Sequence, residues 1–239
     1  MTAHVIGLTG ATGGLGVSTL AAATAHLGGA SGLHTVAVDS SRWGVGLAVG
    51  LAMEGQPGLR WEDLLATDGD LPGAELLAAL PRVGQVGLLC REPAGAAAWA
   101  RVPRSVEHHA RRALAQEAEL VVVDLPPLGS GDFLGWASAC HEVHVLVGGG
   151  LGPVAVAPAL GEGLRSVLGR TGVVVRGRQV GARVVEAVEA ASGHPVSAVL
   201  PDDPAVSRCE ERGEPVGSRP GPVRDLAQQL LTGAVEVAA

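Results

Sequence analysis

The stretch TGATGGLGVSTL, Thr9 to Leu20, places Gly10, Gly13, Gly14 and Gly16 between an apolar run, HVIGL (4–8), and a helical pattern, VSTLAAATAHL (17–27). Glycines in such a turn let backbone N–H groups approach an anion closely, and the helix that follows aims the positive end of its dipole at the same place. The chemistry this allows is phosphate binding. The glycine spacing alone is weak evidence, since strand–loop–helix turns of this composition also occur without a ligand. Two carboxylates add to it: Asp39 ends the run HTVAVD (34–39), and Asp124 ends ELVVVD, the most apolar run of the chain.

These residues need elements that hold them at one edge. Apolar runs recur at 4–8, 34–39, 86–90 and 119–127, and again in EVHVLVG, TGVVVRG and PVSAVLP, with helical patterns between them. The runs are continuous rather than alternating, which predicts strands buried on both faces of a parallel sheet. WEDLLA and GAELLAAL are short helices, Ser105 to Glu119 is amphipathic, Ala182 to Ser192 is helical, and PVRDLAQQLLTG (222–233) closes the pattern before Gly233. The expected fold is α/β: a doubly wound, mostly parallel sheet with helices on both faces, in a single domain over 1–239. That length is enough to bury a full sheet between helix layers.

Composition excludes several function classes. The net charge is −7 and all 17 basic residues are Arg, with no basic run that would neutralise a nucleic-acid backbone. Nucleic acid is therefore not an expected partner. The mean hydropathy is +0.31, but the apolar, uncharged run Val145 to Gly161 is broken by glycines and by Pro153 and Pro158. It falls short of the ~20 apolar residues of a membrane helix. The N-terminus has no basic segment and enters a strand directly, so no signal peptide is expected. Cys90, Cys140 and Cys209 are odd in number and far apart, fitting reduced thiols.

Two families use a loop of this kind. Thr-Gly-x-x-x-Gly-x-Gly resembles the dinucleotide loop of short-chain dehydrogenases, and Asp39 lies about twenty residues on, where ribose would be bound. Those enzymes work through a Tyr and a Lys, and the chain has neither; a non-catalytic NAD(P)-binding sensor is what survives of that reading. Gly-Gly-x-Gly-x-Ser-Thr resembles the phosphate loop of a P-loop ATPase that lacks its lysine. LVVVDLPP is similar to a Walker B strand, VAVDSSRWGVGL to the second strand and switch of ParA/MinD-type ATPases, and LPDDPAVSRCEERGEPV (200–216) to their late base-side segment. The order of the four blocks favours this second family. GLRWEDL, AALPRVGQVGLL and the final RGEPVG carry the resemblance further, to the actinobacterial TadZ/CpaE-like proteins, over about His4 to Thr232. Members commonly have a receiver-like domain ahead of this one, expected here to be absent or to have been removed.

The resemblance implies ATP with Mg²⁺ as ligand, on Gly13, Gly14, Gly16, Val17, Ser18 and Thr19, with Ser18, Asp39 and Asp124 at the metal and Arg176, Pro201 and Asp203 beside the base. The departures matter as much. The signature lysine falls at Thr12 and the P-loop lysine at Val17, Ser41 replaces the second acid of the switch, and the base-reading Asn falls at Arg176. Losing one preorganised donor to developing charge commonly costs ~10²–10³ in rate. The implied protein is a degenerate ATPase with no catalytic residue, binding nucleotide weakly if it binds, and needing none. It would be a cytoplasmic scaffold for Tad pilus (type IV pilus) or secretion assembly, linked to septum-site or pole placement. Its partners would be the secretion ATPase and inner-membrane pilus proteins, which would recruit it to pole or septum, and a second copy of itself. A weak ATP-dependent switch is the alternative within the family.

Other residues invite a bland reading. Cys140, His141 and His144 suggest a metal, but alternate strand residues point to opposite faces. Arg111-Arg112, the Arg176, Arg178 and Arg183 group, and His108-His109 read as solvated faces. Trp43, Trp61, Trp99 and Trp136 read as core or partner surface, and Asp202-Asp203 as a structured loop. Val223, Leu226 and Leu230 form a stripe expected to pack on the domain rather than enter a membrane. DSSRWGVGLAVGL, around Trp43 and Leu47, is the candidate self-association surface.

Overall fold

The computed structural model describes residues 3–40, 46–66, 72–92, 102–150, 159–167 and 169–238, and for 235–238 the backbone alone. In chain order these form β1 (His4–Gly10), α1 (Val17–Ala30), β2 (Thr35–Asp39), α2 (Gly46–Gly50), a 3-10 turn (Asp63–Ala66), α3 (Gly73–Ala79), β3 (Arg82–Val83), β4 (Val86–Leu89), α4 (Arg104–Glu117) and β5 (Leu120–Asp124). Then follow α5 (Phe133–Ala137), β6 (Glu142–Gly148), helical residues 159–165, β7 (Arg170–Arg176), α6 (Ala182–Ser192), β8 (Val196–Leu200), α7 (Pro204–Glu211) and α8 (Pro222–Ala238).

The strands make one sheet of eight in the order β3-β4-β2-β5-β1-β6-β7-β8. Every neighbouring pair is parallel except β3 with β4, a two-residue antiparallel turn at the edge. Alternation within each strand divides the core in two. Val5, Val121, Val123, Val143 and Val145 face one layer with Leu76, Leu114, Trp136 and Val188, while Ile6, Leu8, Leu120, Val122 and Leu146 face the other with α1 and α8. The doubly wound α/β expectation is met.

α1 runs through the second layer with Leu20 to Ala25 all buried, because sheet, α2 and α8 enclose it. Small residues make that possible: alanines on α1 let the neighbouring helices close in. The stripe Val223, Leu226 and Leu230 of α8 is buried in the same layer, as its periodicity suggested. No helix among the described residues is long and apolar enough to cross a membrane.

Two expectations need correction. Leu47 is fully buried in the α1 layer, because Gly46 and Gly50 let α2 lie directly on Ser18 and Ala22; it offers no self-association surface. Ser41 and Trp43 lie outside the described residues, as, elsewhere, does Trp99. Arg111, read as solvated, lies with its guanidinium 4.7 Å over the ring of the buried Trp136. Trp136 in turn meets Trp61 edge-on at 5.9 Å, so both rings belong to the core.

Candidate phosphate and cation site

The C-terminal ends of the parallel strands converge on the loop between β1 and α1, the edge at which open α/β sheets bind ligands. Gly10 ends β1 and residues 11–16 turn into α1. Gly14 and Gly16 hold φ of 78° and 82°, in the left-handed region where a Cβ is strained, so the turn depends on glycine there. Gly16 caps α1 without a side-chain hydrogen bond to the helix. A Cβ at Gly13 or Gly14 would meet nothing within 4 Å, so the loop's outer surface is open space. The first N–H groups of α1 have no intrahelical acceptor and an anion can satisfy them.

Ser18, one residue inside α1, donates its hydroxyl to Asp124 Oδ2 at 2.5 Å. Asp124 ends β5 and stands in register with Asp39, the last residue of β2. Both carboxylates are buried, at 5% and 1% exposure. Burial, followed by the neighbouring Asp39 charge, pushes the Asp124 carboxyl up to about 7, although the Ser18 hydroxyl pulls the other way. A hydroxyl and two carboxylates so placed suit a hard divalent cation, which takes oxygen ligands and would supply the positive charge these acids lack. The donor set therefore fits Mg²⁺.

Three contacts around these acids were not legible in the sequence. Ser40 donates both its backbone N–H (3.1 Å) and its hydroxyl (2.5 Å) to the Asp124 carbonyl, joining the ends of β2 and β5. The indole N–H of Trp61 donates to the Asp39 carbonyl at 2.8 Å. Buried Arg60 donates to the Cys90 sulfur and the Gln56 carbonyl, and burial raises the Cys90 thiol to about 11. No spacing rule joins residues 39 and 61; the sequence placed Trp61 only in the core or on a partner surface.

Val17, at the start of α1, is half-buried. Its side chain packs against the α1 layer and comes within 3.2 Å of where a Cβ on Gly10 would stand. Thr19 lines a cavity of about 360 Å³ beside the loop, with Gly16, Arg176, Asp202, Ser207 and Val206. Arg176 ends β7, donates to the Pro201 carbonyl at 2.5 Å and pairs with Asp202 at 3.2 Å. This corrects its reading as part of a solvated cluster. Asp203 also lines the cavity, but its carboxylate is occupied: Oδ1 accepts from Ala205 N at 2.8 Å and Oδ2 from Val223 N at 3.0 Å, capping α7 and α8 together. The loop, both acids and Arg176, Pro201 and Asp203, the residues expected beside a base, are thus brought to one edge, while the position expected for the second switch acid, Ser41, is outside the described residues.

His141 and His144 sit elsewhere, toward the start of β6. His144 and His4 each meet the Glu142 carboxylate, at 3.2 and 3.0 Å, whereas His141 accepts from Val5 N and stacks on His4. Among the described residues no three or more His, Cys, Asp or Glu side chains come together as a set that could hold a metal ion.

No family model matches the chain. It is 27% identical over 218 residues to an uncharacterized protein of Mycobacterium tuberculosis, present in strains H37Rv and CDC 1551, and spans 57% of the length of those relatives. Its fold is similar to the cell division ATPase MinD of Pyrococcus furiosus, with TM-score 0.77, 19% identity and 99% of each chain covered. It is similar as well to a ParA family ATPase of Chlorobium tepidum, with TM-score 0.75 and 19% identity over 90% of each chain. The septum site-determining protein MinD of Pyrococcus horikoshii, complexed with Mg-ADP, gives TM-score 0.71 and 18% identity over 90% of this chain and 88% of that one. The fold is that of the MinD/ParA P-loop NTPases.

Proposed function

We propose that the chain is a ParA/MinD-type positioning protein whose phosphate loop has kept its cradle and lost its catalysis, acting as a cytoplasmic scaffold in Tad pilus or secretion assembly. The observation that carries this reading is the contrast at the loop. Gly14, Gly16, Ser18 and Asp124 keep the turn and the hydroxyl–carboxylate contact, while Thr12 and Val17 stand where the family resemblance puts lysines. An apolar Val17 cannot oppose phosphate charge, and the transition state of phosphoryl transfer is stabilised chiefly by such charges.

ATP or ADP with Mg²⁺ would rest on the backbone N–H groups of the loop, with Ser18, Asp39 and Asp124 at the cation and Arg176 and Pro201 beside the base. The cation would screen the acids and the phosphates from one another. What the chain's own groups can do is bind and orient; no side chain at the described part of the loop carries a charge that would follow the reaction. Partner binding is then constitutive, and the secretion ATPase and inner-membrane pilus proteins are the partners that the TadZ/CpaE-like resemblance suggests. A weak ATP-dependent switch is the second reading, favoured by the intact Ser18–Asp124 contact.

The test is to measure affinity between the purified chain and its secretion ATPase with and without Mg·ATP, beside ATP turnover by the chain alone. Equal affinities and no turnover above buffer are expected. Absence of binding overturns the scaffold role. A steady rate abolished by Asp124→Ala, or binding that requires ATP, makes the protein a switch.

A further inference from the structure

A second cavity, of about 270 Å³, lies on the sheet face opposite α1, between α4 and α5 and away from the loop. Its floor is the sheet itself, Val38, Val121 and Val123, and one wall is Trp136. Its mouth is basic: Arg111, Arg112 and His108 of α4 line it, and the described lining contains no acidic residue. In a chain of net charge −7 that is a local reversal of sign.

Arg111 is held rather than free to swing. Its guanidinium lies 4.7 Å over the Trp136 ring, Nε donates to the Glu107 carbonyl at 3.3 Å, and Nη1 donates to the Gly135 carbonyl. Both acceptors are neutral, and Nη2 stands outside both bonds. Burial outweighs the favourable charge of Glu107, one turn back on α4, and pulls the Arg111 pKa below the usual guanidinium value. A charge fixed at the rim of an apolar hole is best satisfied by an anion that brings apolar bulk with it.

We propose that this cavity is a binding site for a small amphiphilic carboxylate, an aliphatic monoanion whose chain fills the valine- and tryptophan-lined floor and whose carboxylate meets Arg111 at the mouth. The volume lies just below the ~300–1,000 Å³ of ordinary small-molecule sites, which limits the ligand to a single unbranched chain of medium length. The site shares no lining residue with the loop-side cavity, although its floor residues Val38 and Val123 immediately precede Asp39 and Asp124.

The test uses calorimetry on the purified full chain with decanoate, decanol and decyltrimethylammonium, all below micelle-forming concentrations. Decanoate should bind at least about tenfold more tightly than either of the others, the discrimination a charge-assisted hydrogen bond supplies. Arg111→Met, which keeps length and loses charge, should erase that preference, and Ala115→Phe, which fills the cavity from α4, should abolish binding of all three. Thermal unfolding checks that each variant folds; if Arg111→Met does not, the three-ligand comparison and Ala115→Phe decide. No decanoate binding, equal binding of the cationic amphiphile, or undiminished binding to a folded Ala115→Phe variant overturns the proposal.

Discussion

Asp39 and Asp124 stand side by side at the ends of adjacent parallel strands, both buried, with the Asp124 carboxylate accepting the Ser18 hydroxyl. Two like charges this close and this dry do not both ionise easily. That relationship governs how the protein responds to pH and to a cation.

Burial and the neighbouring Asp39 charge push the Asp124 carboxyl up to about 7 in the folded protein, well above its ordinary 3.8. The folded state therefore holds a proton that the unfolded chain releases between those values, so stability falls as pH rises through that window and levels off above it. The slope for one group is at most about 1.4 kcal/mol per pH unit. Thermal unfolding of wild type and Asp124→Asn should show the variant gaining on wild type from pH 5 to pH 8. Equal differences at the two pH values would mean that Asp124 is ionised throughout.

Val17→Lys is expected to strengthen binding of Mg·ATP, because it returns one positive charge to a loop whose turn is intact. The gain has a cost: Val17 packs on the α1 layer, and removing that contact should lower stability by ~0.5–1.5 kcal/mol. Calorimetry for the nucleotide and chemical denaturation for stability separate the two effects. Unchanged affinity in a folded variant would show that the loop is not a dormant phosphate site.

One carboxylate caps two helices at Asp203, so its loss should be felt at both. Asp203→Ala is expected to cost ~1–3 kcal/mol, and Asp203→Asn less, since the amide retains one acceptor. Denaturant midpoints report this directly. A cost under ~0.5 kcal/mol would place the stability of α7 and α8 in their apolar contacts alone.

The sheet and its helices were legible in the sequence because continuous valine- and leucine-rich runs leave little freedom in a parallel sheet. α4 is the instructive boundary. It ends at Glu117 rather than Glu119, because Ala118 turns extended and Glu119 N–H donates to the His34 carbonyl to start β5. The site was legible where its residues lie in one strand–loop–helix unit, and less so across the sheet. Nothing in the spacing of Ser18 and Asp124, 106 residues apart, reveals their contact. Arg111 was misread because an arginine on an amphipathic helix usually points to water, and only the fold places Trp136 beneath it.

Glu142 makes the opposite prediction from Asp124. It begins β6 with its side chain buried, and burial alone would raise its carboxyl; hydrogen bonds with His144 and His4, the His144 charge, and a hydrogen bond from Arg170 outweigh that and hold it well below the usual carboxylate range. Such a group stabilises the fold above its unfolded value near 4.5, and the contribution is lost as pH falls through the folded value. Glu142→Gln keeps the volume but loses the charge against Arg170, and is expected to cost ~1–3 kcal/mol at pH 7. Below pH 4 the wild type sheds its own advantage, so the two unfolding curves should converge there. A deficit that stays constant from pH 7 to pH 3 would mean that the glutamine fails by geometry rather than by charge, and that His4, His144 and Arg170 hold this end of the sheet without an ionised partner.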